Sequence, residues 1–240
     1  MNDNLEPKPY NLRPKILVTG AKGQLGKKII EAMGSKYELV LTDSDDMDIT
    51  NPKVVDEVIG REKPDFIIHA AAYTRVDAAE ENEKLCRKIN VLGTENVAKA
   101  ANAHNATLIY ISTDYVFDGQ KKSPYVEEDQ PKPLSVYGMT KYEGEKAVQK
   151  ICDKYYVLRI AWLFGELPMG HPGTNFVETM LRLAKEREEL SIVNDQIGSP
   201  TYTQDLVELI SKILELKVKS EKLKGGIRDD TSNFQLTAYN

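Results

Sequence analysis

Lys15-Ile-Leu-Val-Thr-Gly-Ala-Lys-Gly-Gln-Leu-Gly26 decides how this chain is to be read. Its first five residues are an apolar, β-rich run of the kind that becomes a strand buried on both faces. Glycines follow at 20, 23 and 26, and Gln24 to Met33 then carries apolar residues at helical spacing (Leu25, Ile29, Ile30, Met33) until Gly34. Strand, glycine turn and helix in that order suit a phosphate. The first glycine permits a tight turn, the second lets the backbone approach a pyrophosphate, and the third lets the helix pack close to the strand. Gln24 and Leu25 open the helix at its N-terminus, where unpaired amides offer partial positive charge.

Downstream, the same alternation recurs. Strands are predicted at Tyr37–Thr42, Asp65–His69, Thr107–Ser112 and Tyr155–Ala161. Between them lie helices opening at Asn51-Pro52 and spanning about Ala79–His104 and Pro133–Cys152. Five strands alternating with helices imply an α/β, doubly wound parallel sheet of the Rossmann-like kind, built with right-handed crossovers. The rhythm changes after Trp162. A Gly/Pro loop at Gly165–Gly173, a helix at Asn175–Glu188, a short strand at Leu190–Val193, a turn at Gly198-Ser-Pro200 and a helix at Thr203–Leu216 suggest a small lobe over the carboxyl edge of the sheet. The predicted organisation is a flexible leader over 1–13, a dinucleotide-binding domain over 14–162 that includes the catalytic helix, and a substrate lobe over 163–240.

Bulk properties narrow the function classes. With 240 residues, 41% hydrophobic and 29% charged, the chain has apolar material for a sizeable core. A net charge of -5 argues against nucleic-acid binding, which needs a basic face. The two cysteines, Cys86 and Cys152, form no CxxC pair, so neither a disulfide framework nor a zinc site is expected. His69, His104 and His171 are scattered, and no metal site is predicted. Without an apolar run near the ~20 residues that cross a bilayer, and with a polar N-terminus, the expectation is a soluble cytoplasmic protein with no membrane partner. A homodimer is left open.

The cofactor reading extends past the glycines. Asp43 ends the second strand, 23 residues after Gly20, where a carboxylate can accept hydrogen bonds from the adenosine ribose and would repel a 2′-phosphate. No Arg or Lys immediately follows it, so between NADPH and NADH the lean is toward NADH. Asp48-Ile49 falls where an adenine pocket is expected, and Ala70-Ala-Ala72 supplies small side chains where a cofactor could press on backbone; tight helix–sheet packing explains those alanines equally well.

The chemistry resides in Tyr137-Gly-Met-Thr-Lys141. Residues i and i+4 share a helix face, so phenol and ammonium lie side by side. The expectation is that Lys141 lowers the Tyr137 pKa toward the range useful for general acid catalysis, with Tyr137 protonating a ketone oxygen as hydride reaches carbon. Ser112-Thr113, with Thr113 24 residues before Tyr137, ends the fourth strand and brings a hydroxyl to the same point. Asn90 could hold a water near Lys141 or simply occupy a helix surface. Trp162, the single Trp, could stack on a sugar or a base, or cap the core.

Four strings carry a closer resemblance: Ala70-Ala-Ala-Tyr-Thr-Arg-Val-Asp-Ala-Ala-Glu80, Ser112-Thr-Asp-Tyr-Val-Phe-Asp-Gly119, the Pro133–Glu145 helix and Asn194-Asp-Gln-Ile-Gly-Ser-Pro-Thr201. They resemble the dTDP-4-dehydrorhamnose reductases, extended short-chain dehydrogenases that make the last sugar of the dTDP-L-rhamnose pathway. The resemblance runs from about residue 14 to about 215. It implies Thr113, Tyr137 and Lys141 as the catalytic trio, with Lys141 also on the nicotinamide ribose, and a nucleotide sugar as substrate. It further implies substrate contacts at Asp114, Tyr115 and Trp162, a loop around Gly198-Ser199-Pro200-Thr201 closing the sugar pocket, Asn175 and Phe176 on the small lobe, and Arg182 near the diphosphate. From Gly225 to Asn240 the sequence departs from the family, which predicts a shortened or divergent substrate lobe. Two alternatives remain at this point: another nucleotide-sugar reductase or epimerase of the same fold, and a non-catalytic regulatory subunit resembling that of methionine adenosyltransferase.

Overall fold

The structure is a computed structural model that describes residues 13–167, 175–223 and 234–237. Among the described residues, six parallel strands form one sheet: β1 (Lys15–Thr19), β2 (Glu38–Thr42), β3 (Phe66–His69), β4 (Thr107–Thr113), β5 (Tyr155–Ile160) and β6 (Phe234–Thr237), in the order β2-β1-β3-β4-β5-β6. Period-two alternation explains the two cores. Ile16, Val18, Ile68 and Ile109 point to one face, where they meet helices α1 (Gln24–Met33) and α8 (Thr203–Leu223) through Leu25, Ile29, Met33, Leu206 and Ile210. Leu17, Ile67, Leu108 and Tyr110 point to the other, against α2 (Pro52–Glu62), α5 (Thr94–Ala103) and α6 (Val136–Ile151) through Val55, Ile59, Val97 and Val148. Each predicted strand through β5 forms within a residue or two of its expected bounds.

Local chemistry sets the helix ends. The Asn51 side chain caps α2 by accepting from the Lys53 and Val54 amides, and Pro52 fills the first position, whose amide would be unpaired anyway. Ser135 caps α6 through the Gly138 amide. In contrast, α1 starts at Gly23 with no side-chain cap, so its first-turn amides remain available at the sheet's carboxyl edge.

Three expectations are corrected. The helix predicted over Ala79–His104 begins at Val76 and is interrupted: α3 (Val76–Glu81) ends at Asn82, α4 (Glu83–Arg87) follows, and a π turn (Lys88–Gly93) separates it from α5. Alanine-rich periodicity reports helix but is blind to where tertiary contacts widen a turn, here so that Asn90 is buried. Leu190–Val193 is no strand; Ile192 and Val193 are 56% and 65% exposed, and among the described residues no sheet edge pairs with them. Lastly, α8 runs to Leu223, and Phe234–Thr237, inside the segment that departs from the family, pairs with β5 as a sixth strand. Residues 1–12 of the expected leader, His171 and most of the 165–173 loop lie outside the described residues.

Candidate active site

The order β2-β1-β3 places a topological switch point between β1 and β3, and ligands of open parallel sheets bind outside the carboxyl ends of strands at such a point. A cleft of about 1520 Å³ opens there. It exceeds the ~300–1,000 Å³ of an ordinary small-molecule site and has room for two ligands. Every expected cofactor residue lines it: Gly20, Gly23, Gln24, Leu25, Asp43, Asp48, Ile49, Ala70, Ala71, Ala72, Tyr137 and Lys141.

Two glycines carry the cradle. Gly20 has φ +68°, and a Cβ there would meet the Ala71 backbone at 2.9 Å, so β1 and the chain leaving β3 approach as only glycine allows. At Gly26 a Cβ would lie 2.4 Å from the Ala21 carbonyl oxygen, which fixes α1 against the turn. Thr19 braces the same junction, its hydroxyl accepting from the Ala71 amide at 3.1 Å. These features fit a pyrophosphate laid over the uncapped α1 N-terminus. At the far end, Asp43 is held by the Lys22 amide (3.1 Å) and the Ser44 amide (2.8 Å). The Lys22 ammonium pairs with Asp45 at 2.6 Å, so a cation does stand beside Asp43, contributed by the glycine loop rather than by the strand's followers. Asp48 accepts from the Thr50 amide at 2.9 Å, which holds its carboxyl below the usual range.

Tyr137 and Lys141 project from α6 into the inner end of the cleft, and Thr113 ends β4 opposite them. Thr113 donates to Asp114 at 3.2 Å and accepts from the Tyr115 amide. The Tyr115 ring stands edge-on to Tyr137, centroids 5.6 Å apart. Burial raises the Tyr137 pKa, opposed by the Thr113 hydroxyl beside it, and burial also raises the Asp114 carboxyl. The expected lowering of Tyr137 by Lys141 is therefore corrected. The buried ammonium is turned to the Ile111 carbonyl at 2.7 Å, and burial brings its own pKa down to about 7, against the opposing pull of Glu145. A phenol held protonated at neutral pH is the form a proton donor needs.

Beneath Thr113 lies a closed ionic network. Arg159 grips both oxygens of Glu145 at 3.0 and 2.7 Å, and the Ser112 hydroxyl donates to the same carboxylate at 2.5 Å. Asn90 does not lie on a helix surface. It is 1% exposed, and its amide clamps Tyr73 (2.8 Å from the amide nitrogen) to Thr140 of α6 (3.2 Å), tying the alanine segment to α6.

Of the expected substrate residues, Thr113, Asp114, Tyr115, Trp162 and Asn175 line the cleft. Ser199 and Pro200 do not; their loop packs Gly198 against the Trp162 ring, and Thr201 bonds the Ala161 backbone at 2.9 Å. Trp162 holds φ +40°, a left-handed backbone that a non-glycine residue adopts at some strain. Asn175 is spent on capping α7 (Phe176–Glu186) and on the Gly165 carbonyl. Arg182 pairs with Glu186 on the exposed side of α7 and does not reach the cleft. The sequence reading missed Lys22, Thr74, Arg75, Ile192, Val193 and Gln196 in the cleft wall, because nothing in their spacing distinguishes them from solvated loop residues. Among the described residues there is no group of three or more His, Cys, Asp or Glu able to hold a metal, and no helix long and apolar enough to cross a membrane.

A glycine-cradled switch point joined to a Tyr–Lys helix in one cleft defines the short-chain dehydrogenase/reductase class. More narrowly, the chain belongs to the RmlD substrate binding domain family, whose model matches residues 14–236. It is 44% identical over 215 residues to a dTDP-4-dehydrorhamnose reductase of Aggregatibacter actinomycetemcomitans, covering 89% of this chain and 71% of that one. To its counterpart in Escherichia coli K12 it is 40% identical over 214 residues, covering 88% and 70%. It also superposes on a dTDP-4-dehydrorhamnose reductase from Bacillus anthracis solved in complex with NADP, with TM-score 0.83 and 40% identity, covering 95% of this chain and 75% of that one.

Proposed function

We propose that this protein reduces the 4-keto group of dTDP-4-dehydro-L-rhamnose to dTDP-L-rhamnose, with NAD(P)H as reductant. The observation that carries the reading is the meeting of Thr113, Tyr137 and Lys141 at the inner end of the cleft that begins at Gly20. A bound nicotinamide dinucleotide supplies the hydride. Gly20, Gly23 and the α1 amides hold its pyrophosphate, Asp43 its adenosine ribose, and Lys141 its nicotinamide ribose. Thr113 donates a hydrogen bond to the substrate carbonyl oxygen, and Tyr137 gives that oxygen its proton as negative charge develops there. Asp114, Tyr115 and Trp162 hold the sugar and exclude water. As to cofactor preference, Asp43 favours NADH, whereas Lys22, held beside it by an exposed ion pair, is the cation available to a 2′-phosphate.

The test is a spectrophotometric assay with dTDP-4-dehydro-L-rhamnose, following NADH and NADPH oxidation separately. Tyr137→Phe is expected to abolish turnover and leave cofactor affinity within about twofold. Wild-type-like turnover in that variant removes Tyr137 from the mechanism.

A further inference from the structure

Lys141 is only 3% exposed at the inner end of the cleft, yet its ammonium rests on no carboxylate: its one hydrogen bond within the described residues goes to the Ile111 carbonyl, and the Glu145 carboxylate is already held by Arg159 and Ser112. Directly beneath lies the Tyr110 ring, its centroid 4.2 Å from Lys141 Nζ. We propose that Tyr110 is a positioning residue for the reductase chemistry, its aromatic face holding the Lys141 cation in place and its hydroxyl anchoring the helix turn that carries Tyr137 and Lys141.

Four observations support this. Tyr110 is wholly buried, so its ring cannot turn away to solvent. Its hydroxyl donates to the Lys141 carbonyl at 3.3 Å. Gly144 makes that approach possible, since a Cβ there would come within 2.4 Å of the Tyr110 hydroxyl oxygen. His69 also packs beside the ring, centroids 5.7 Å apart; burial and the nearby Lys141 charge bring its pKa down to about 3, so it leaves the ring to a single cation. The titratable and charged groups around Lys141 are Glu145 and Tyr137 from α6, Cys86 from α4, His69 from β3 and Tyr110 from β4, with Arg159 of β5 behind Glu145. A cation over an aromatic face is stabilised as a cation, most strongly when desolvated. The ring thus works against the burial that lowers the Lys141 pKa.

This inference deepens the reductase reading but is testable apart from it. In the full chain labelled with ¹³C-lysine, the Lys141 Cε resonance, assigned by its loss in Lys141→Arg, is titrated between pH 5 and 10. Tyr110→Phe keeps the ring and should leave the midpoint within about 0.3 pH unit. Tyr110→Leu should lower it by about 1.5 units, the size expected of a desolvated cation–π contact. Should the leucine variant not fold, pentafluorophenylalanine at 110 preserves the shape while reversing the ring's charge distribution, and it should lower the midpoint at least as far. A midpoint in the leucine or fluorinated protein equal to that of Tyr110→Phe overturns the proposal, since a merely structural ring would not act on the lysine's proton. If reductase turnover is measured alongside, the alkaline limb of kcat/KM should move with the midpoint. A shifted midpoint in a protein without turnover would uphold Tyr110 and sink the reductase reading.

Discussion

Glu145→Gln should be among the most destabilising conservative changes in the molecule. Glu145 and Arg159 are 0% and 2% exposed, and their bidentate pair also accepts the Ser112 hydroxyl. The substitution removes the charge but not the volume, so the loss is electrostatic: Arg159 stays buried without its counter-ion. Its Nη1 already has no partner among the described residues, so the guanidinium has little local capacity to compensate. Breaking a buried pair from one side costs about 3–5 kcal/mol. For a chain of this size that is a fall in Tm of roughly 6–20 °C. Thermal unfolding followed by circular dichroism, with urea midpoints at constant slope as a check, measures it. The double variant Glu145→Leu/Arg159→Met should recover much of the loss, because it leaves no buried charge behind. A fall of less than about 2 °C, or a double variant no better than the single one, would refute the argument that these charges stand in a dry interior.

Other predictions concern the cleft and acid stability. Gly20→Ala imposes a side chain on a φ of +68° and on the Ala71 backbone 2.9 Å away; cofactor affinity, read by fluorescence titration, should fall at least about tenfold, and an unchanged affinity would sever this turn from the cofactor site. Lys22→Ala should reduce the ratio of kcat/KM for NADPH to that for NADH by about five- to tenfold, as loss of one charged contact to a phosphate would; a constant ratio assigns Lys22 only to its Asp45 ion pair. His69 is neutral when buried, with its pKa lowered to about 3 chiefly by burial. Between that value and the unfolded ~6.5 only the unfolded state gains the proton, so folding stability should fall as pH drops through this window, by on the order of 5 kcal/mol in full. His69→Gln should flatten that limb of urea midpoint against pH; an identical slope would show that other groups carry it.

The sheet was legible because each of its first five strands is a run of residues apolar on both faces, each followed by a helix of 3.6-residue periodicity. The cradle was legible because glycine has no substitute at φ +68° or against a backbone oxygen 2.4 Å away. The Tyr137–Lys141 face of α6 was legible because i, i+4 spacing alone puts the two residues side by side. The interrupted helix around Asn90, the sixth strand and the unpaired Leu190–Val193 segment were not, since each depends on what lies alongside rather than on its own pattern.

Linear order, then, settled which residues share an element and which face they take, because backbone geometry repeats with a fixed period. What faces those residues was decided only by folding. The Lys141 ammonium lies on the Tyr110 ring and the Ile111 carbonyl, Tyr137 is pushed up by burial instead of down by its neighbour, and Lys22 is brought beside Asp43 from another strand's turn. Proton affinity and charge pairing depend on distances through space and on exclusion of water, and neither is encoded in the spacing of letters along a chain.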